Sequence, residues 1–245
     1  METIILKGVM RSGNVFLRLI LNAIFNENNI EGVYPYNYRF FRDNIFLNTT
    51  EGGKSIKDPG LHDYEDIVNN NILIIPWRDP RDSIISFIRT EYSKLPLDPM
   101  FPWKNKFPTL EYILENCERT AKEQINMFKI MMSIVNKHPK NHTLELKYET
   151  YHNDFDFLFN KLEEFFKIRI SLETREYLKK EYSKKTIINF QKSMSNFNTF
   201  HDTSHVHGEH VWKGDNKWEE ILTPEILDII NPILDPYIKK WETLK

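Results

Sequence analysis

Short continuous apolar runs in this chain alternate with longer stretches in which apolar residues recur every three or four positions. Ile4-Ile5-Leu6 and Ile72-Leu73-Ile74-Ile75 are runs of the first kind, rich in β-branched residues, and read as buried strands. Thr143–Tyr148 reads as a further strand and Lys54–Lys57 as a short one. Phe16, Leu19, Ile20 and Ala23 keep helical spacing. So do Ile113, Cys117, Ala121, Ile125, Phe128, Met132 and Val135, which predict a long amphipathic helix from Leu110 to Val135, stopped by Pro139. Phe155–Phe166 and Leu172–Tyr182 read as helices, and Thr223-Pro224-Glu225 opens another that reaches about Ile233. Ile187–Asn198 is ambiguous.

The segments between these elements are of three kinds. Residues 27–53 form an aromatic, polar connection without a period, closed by Gly52-Gly53; such a segment is either a binding loop or an ordinary aromatic-packed excursion. Asp58-Pro59-Gly60 turns the chain, and Asp63–Asn69 can make a helical turn. Residues 93–108 hold four prolines with Phe101 and Trp103, which makes them a loop able to act as a lid; residues 199–216 are a polar, His-rich loop.

Composition narrows the class. A chain of 245 residues with 40% hydrophobic content fits one large α/β domain over residues 1–245, and no repeat is visible. A net charge of −2 argues against bulk nucleic-acid binding or a polybasic membrane surface. No apolar run approaches the roughly 20 residues of a membrane span. The N-terminus enters a strand almost at once, without a signal-peptide pattern, so the expected location is cytoplasmic. The single cysteine, Cys117, excludes an intramolecular disulfide framework, fits a reducing compartment and sits on the apolar stripe of the long helix as a core residue.

The first candidate for chemistry is the loop between the Ile4 strand and the helix that follows. Strand, glycine loop and helix together aim backbone N–H groups and a helix dipole at a phosphate. Gly8 and Gly13 keep the spacing of a nucleoside-triphosphatase P-loop, G-x-x-x-x-G-K-[ST], but Asn14 and Val15 stand where lysine and the magnesium-binding hydroxyl belong. The cation is Arg11, inside the loop, followed by Ser12. The loop therefore suits a phosphate without a P-loop magnesium site, and the fold class expected is α/β with a P-loop-like central parallel sheet flanked by α-helices.

The second candidate follows the Ile72 strand: Arg78-Asp79-Pro80-Arg81-Asp82, then Ser86. Asp79 is a good N-cap, Pro80 suits the first helical position and Asp82 the first turn. Arg78 thus falls at a strand's carboxyl end and Ser86 on the helix behind it, where open α/β sheets bind ligands. An Arg fork and a hydroxyl together match a phosphate group.

These two stretches, in this order, resemble the phosphate motifs of the sulfotransferases that use 3′-phosphoadenosine 5′-phosphosulfate (PAPS). Arg11-Ser12-Gly13-Asn14-Val15-Phe16 is similar to that family's 5′-phosphosulfate loop, and Arg78 with Ser86 keeps the spacing of its 3′-phosphate motif. The resemblance implies that residues 11–15 grip the 5′-phosphate and that Phe16 replaces an adenine-stacking tryptophan. Tyr148-Glu149 resembles a segment whose tyrosine contacts adenine, and the stretch from Thr186 through Phe190 resembles one whose phenylalanine packs on the base. The stretch from Lys213-Gly214 through Trp218 to Leu222-Thr223 resembles the family's C-terminal element.

The family pattern is incomplete in two places. Its Arg-Lys-Gly clamp on the 3′-phosphate is absent; Lys213-Gly214 or His207-Gly208 can take its place, and Lys213 is favoured because its charge does not depend on pH near neutrality. His201, His205, His207 and His210 also raise a zinc reading, which their irregular spacing makes weaker than a polar loop. The family's Lys-Thr-His base segment is replaced by Lys57-Asp58-Pro59-Gly60-Leu61-His62; Lys57 matches the lysine, while His62 and Asp58 are alternative bases. The activity implied is direct, in-line transfer of the sulfuryl group to a hydroxyl or amine of a small-molecule acceptor, without metal, leaving adenosine 3′,5′-bisphosphate. Arg11 would stabilise charge on the bridging oxygen. Tyr34, Tyr36, Tyr38, Phe40, Phe41, Phe101 and Trp103 suggest a partly aromatic or apolar acceptor. A P-loop-type kinase or nucleotide hydrolase and a non-catalytic nucleotide-binding relative are the competing readings; the oligomeric state is not written in the sequence.

Overall fold

Continuous apolar runs become the centre of the molecule. In the computed structural model, described for residues 4–6, 8, 13–28, 72–94, 107–192 and 217–244, strand β2 (Ile72–Trp77) lies between β1 (Ile4–Leu6) and β3 (Thr143–Lys147). Both pairings are parallel, with Ile4 opposite Ile72, Leu73 opposite Thr143 and Trp77 opposite Lys147. Residues Leu73, Ile74 and Ile75 are wholly buried, as a strand covered on both faces requires.

The helices are α1 (Asn14–Glu27), α2 (Pro80–Lys94), α3 (Leu110–Lys137), α4 (Tyr148–Asn153), α5 (Phe155–Phe166), α6 (Leu172–Glu181), α7 (Lys184–Gln191), α8 (Trp218–Ile221) and α9 (Pro224–Glu242). The described elements are thus mostly helical around a small parallel sheet, an α/β arrangement of P-loop type. The chain sorts into two compact units built from alternating stretches: Met1–Trp77, Met127–Tyr177 and Leu244–Lys245 form the first, Arg78–Asn126 and Leu178–Thr243 the second.

In the first unit Trp77 ties the sheet together. Its indole stacks on Phe128 with centroids 6.5 Å apart, and its Nε1 donates to Glu145 on β3 at 2.7 Å, so the buried N–H has a partner. Helix α1 meets α5 through an edge-on Phe25–Phe166 pair. Arg175 links α6 to α5: it pairs with Glu163 at 2.9 Å, reaches Asn160 at 3.2 Å and lies over the Phe159 ring. Glu163 also accepts the Ile170 N–H at 2.7 Å; that bond, aided by Arg175, holds its carboxyl below the usual range against an opposing effect of burial.

In the second unit Ile84, Ile85 and Ile88 of α2, Ile113, Cys117 and Ala121 of α3, and Leu222, Ile226, Ile230 and Leu234 form one core. Cys117 is buried there, burial raises its thiol pKa, and it is a packing residue.

Three expectations change. Helix α9 runs to Glu242 rather than ending near Ile233, although Pro232 and Pro236 lie inside it. Both prolines are on the exposed face, so the carbonyls they leave unbonded, those of Asp228 and Pro232, face water; the buried stripe Ile226, Ile230, Leu234, Tyr237 continues past them. Strand β3 stops at Lys147, and Tyr148 starts the short helix α4, which periodicity could not detect because it holds only six residues. Asp154 ends α4 and caps α5, accepting the Phe157 N–H at 2.9 Å. The ambiguous 187–198 region contains the last residues of α7, capped by Ser183. On α3 the buried face takes in Gln124 and Met131, while Ile125 and Met132 are half-buried.

Candidate functional site

Two strand-to-helix junctions carry the predicted chemistry. The first lies in the first unit, where buried Gly8 follows β1 and Gly13 precedes α1. The Gly13 carbonyl accepts the Leu17 N–H at 2.9 Å, which makes Gly13 the N-cap. Six other helices, α2, α3, α5, α6, α7 and α9, begin on a side-chain cap from Asp79, Thr109, Asp154, Ser171, Ser183 and Thr223. Gly13 has no side chain to offer, and the first turn of α1 contains no acid. A helix start with a glycine N-cap and no acid in its first turn has the partial positive charge that suits an anion.

Glycine is required at position 13 twice over. Its φ is +85°, in the left-handed region. A Cβ there would lie 2.5 Å from the Tyr148 ring and 2.7 Å from the Tyr151 hydroxyl. Those two tyrosines come from α4, at the carboxyl end of β3, and form a wall against the glycine. Phe16 joins the same cluster: its half-buried ring is 6.1 Å from Tyr151 and nearly parallel to it, 5.2 Å from His152 and 5.7 Å from Phe155. Tyr148 is 4.8 Å from His152. Gly13, Phe16 and Tyr148, three residues expected to contact nucleotide, are thus brought together. Tyr151 and His152 belong with them and were not anticipated; the signal was their position one helical turn beyond Tyr148.

The second junction lies in the second unit. Arg78, half-buried, directly follows the last residue of β2. Buried Asp79 caps α2 by accepting the Arg81 N–H at 2.9 Å, and its two carboxylate oxygens take the Arg81 Nε at 2.9 Å and Nη2 at 2.6 Å. The Arg81 guanidinium lies 3.9 Å above the Trp218 ring. Asp82 accepts the Trp218 backbone N–H at 2.9 Å. Ser86 follows one turn after Asp82, half-buried, with its carbonyl bonded to the Thr90 hydroxyl at 2.9 Å. Phe190, at the end of α7, is 38% exposed, an aromatic surface of the kind a base could cover.

A family model described as a sulfotransferase domain matches residues 65–242. The chain belongs to the sulfotransferase domain family. The matched range of this sulfotransferase-family chain includes Arg78, Ser86, Tyr148, Phe190, Lys213 and Gly214, and begins after the Gly8–Gly13 loop and the Lys57–His62 segment. Among solved structures, the crystal structure of mouse sulfotransferase SULT7A1 complexed with PAP is similar to it, with a TM-score of 0.55 at 14% identity, covering 98% of this chain and 84% of that one. That likeness shows the shared fold. No curated protein matches the chain.

Several predicted residues of this family member lie outside the described residues: Arg11, Ser12, Lys57, Asp58, His62, Lys213 and Gly214, the side chains of Asn14 and Val15, the four histidines from His201 to His210, and the aromatic residues expected to face the acceptor. Among the described residues, no group of three or more His, Cys, Asp or Glu is placed to hold a metal, and no helix is long and apolar enough to cross a membrane.

Proposed function

We propose that this single-domain chain is a PAPS-dependent sulfotransferase that moves the sulfuryl group to a hydroxyl or amine of a small, partly apolar acceptor. The observation that carries the reading is the α1 start: a glycine N-cap at φ +85° with no acid in the first turn, in a chain of the sulfotransferase domain family. The 5′-phosphosulfate end is assigned to the α1 amides with Arg11, Ser12, Gly13, Asn14 and Val15. The 3′-phosphate is assigned to Arg78 and Ser86, with Lys213-Gly214 completing its clamp. Phe16, Tyr148 and Phe190 are assigned to the adenine.

The donor supplies an activated sulfuryl group. As the acceptor attacks in line, a bond from its oxygen or nitrogen to sulfur forms and the bond from sulfur to the bridging oxygen breaks. Negative charge gathers on that oxygen, and Arg11 and the helix amides are assigned to stabilise it. Arginine keeps its proton, so it acts as a fixed charge rather than as an acid. The acceptor's proton passes to His62 or Asp58, with Lys57 beside them. Alignment of the two reactants supplies much of the rate.

Calorimetric titration with adenosine 3′,5′-bisphosphate, 5′-AMP and ATP–Mg²⁺ tests the reading. The bisphosphate is expected to bind tightest, without divalent metal. Binding of ATP–Mg²⁺ alone would instead support the kinase reading. Tight bisphosphate binding without sulfate transfer to a broad acceptor panel would identify a non-catalytic binder.

A further inference from the structure

The core face of α3 carries polar side chains where an apolar stripe would be expected. Thr120 and Gln124 stand one helical turn apart, both wholly buried, on the helix whose Cys117 and Ala121 enter the core of the second unit. Ser83 of α2 is buried too, and its N–H closes the first turn of that helix on the Asp79 carbonyl at 3.0 Å. The Gln124 Nε2 donates to the Ser83 carbonyl at 3.4 Å, so the two helices meet through these residues. That contact also sets the sense of the amide. A carbonyl can only accept, so the amide nitrogen is the atom turned to Ser83 and the amide oxygen is left over. Among the described residues, Gln124 Oε1, Ser83 Oγ and Thr120 Oγ1 are all buried without a hydrogen-bond partner. Such a cluster on a core face carries the full desolvation penalty of each group unless something satisfies them together.

We propose that Ser83, Thr120 and Gln124 form an internal water-binding site that joins the first turn of α2 to α3. The chemistry of the groups selects a small, uncharged ligand. All of them are neutral, and neutral oxygens do not repay the desolvation of a buried cation. Ser83 lies in the first turn of α2, where the positive end of the helix also opposes a cation. Gln124 Oε1 is an acceptor, which excludes an anion. A water both gives and receives. It donates to Gln124 Oε1 and accepts the hydroxyl protons of Ser83 and Thr120, giving each a partner inside the core. The site is independent of the donor assignment made under Proposed function.

A wet and a dry cluster answer differently to loss of a hydroxyl. Thr120→Val keeps the branched shape and removes the oxygen. With a water in place it takes away one of that water's partners, and the unfolding equilibrium constant from urea titration is expected to rise about threefold to tenfold. Ser83→Ala is expected to act in the same range. In a dry cluster each change deletes an unsatisfied hydroxyl, and stability stays level or increases. The decisive variant is the Ser83→Ala, Thr120→Val pair. If one water serves both hydroxyls, the second substitution removes little that the first has not already disturbed. The double variant is then expected to fall short of the product of the single effects by about threefold. Thr223→Ala, which removes the cap of α9, is the control, and with Thr120→Val its effect is expected to multiply in full.

A high-resolution crystal structure of the unaltered protein supplies the direct reading. A single water within hydrogen-bond distance of the three oxygens is expected. Unchanged or raised stability in both single variants, full multiplication in the double variant, a metal ion at the site, or side chains that satisfy one another without water overturns the proposal. Where a variant does not fold, that crystal structure decides alone.

Discussion

The starts of α1 and α2 solve the same problem in opposite ways. Each helix follows a strand of the parallel sheet, and each presents a positive N-terminus. At α2 the chain closes its own helix: Asp79 caps the backbone and binds Arg81 in the same stroke. At α1 the cap is Gly13, with no side chain and no acid in the turn that follows. The difference teaches which atoms can recognise an anion at each place. In the proposed reading, recognition at α1 rests largely on backbone amides, which suit any phosphate, and at α2 on a side chain, Arg78, whose fork can be selective.

Substitutions can break this contrast from either side. The largest effect is expected from Asp79→Ala, which removes the α2 cap and leaves Arg81 without its carboxylate; a loss of about 3 kcal/mol in denaturant-derived stability is expected. Gly13→Ala strikes the other junction. The added Cβ meets the Tyr148 ring and forces an L-residue to a positive φ, so a loss of ~2–3 kcal/mol and weakened binding of every 5′-phosphorylated nucleotide are expected. Arg78→Ala sharpens the comparison. It is expected to cost about 2 kcal/mol of affinity for the bisphosphate and almost nothing for 5′-AMP.

The smallest effect belongs to a site remote from both junctions and separates their behaviour from general acid sensitivity. Glu163 has its carboxyl pKa lowered, chiefly by the Ile170 N–H and then by Arg175. The stability it lends is therefore complete above the ordinary glutamate range and is lost as pH falls through the folded-state value. Glu163→Gln is expected to lower stability at neutral pH and to flatten the acid limb of the stability profile. Nucleotide discrimination at neutral pH is expected to stay as in the wild type.

Much of this was legible beforehand because it depends on near neighbours. Apolar runs marked β1 and β2, three-four spacing marked α1 and α3, and Asp79-Pro80 marked the start of α2. What escaped was either too short to have a period, as with α4 and α8, or obeyed a rule that tertiary contacts overrode, as with the prolines of α9. Arg81 shows the limit most clearly. The sequence sets Arg81 two residues after Asp79, and nothing local says that the Trp218 ring will lie on its guanidinium.

By itself the sequence determined the class of the fold and the two strand-to-helix junctions, because each is written in residues a few positions apart. Only the tertiary structure decided that Tyr148 and Tyr151 close on Gly13, and that Trp218 lies on Arg81 while its N–H reaches Asp82 across 136 residues. Such contacts have no local period. They exist because burying the apolar faces of separate elements brings distant side chains within a few ångströms, and packing chooses which of them meet.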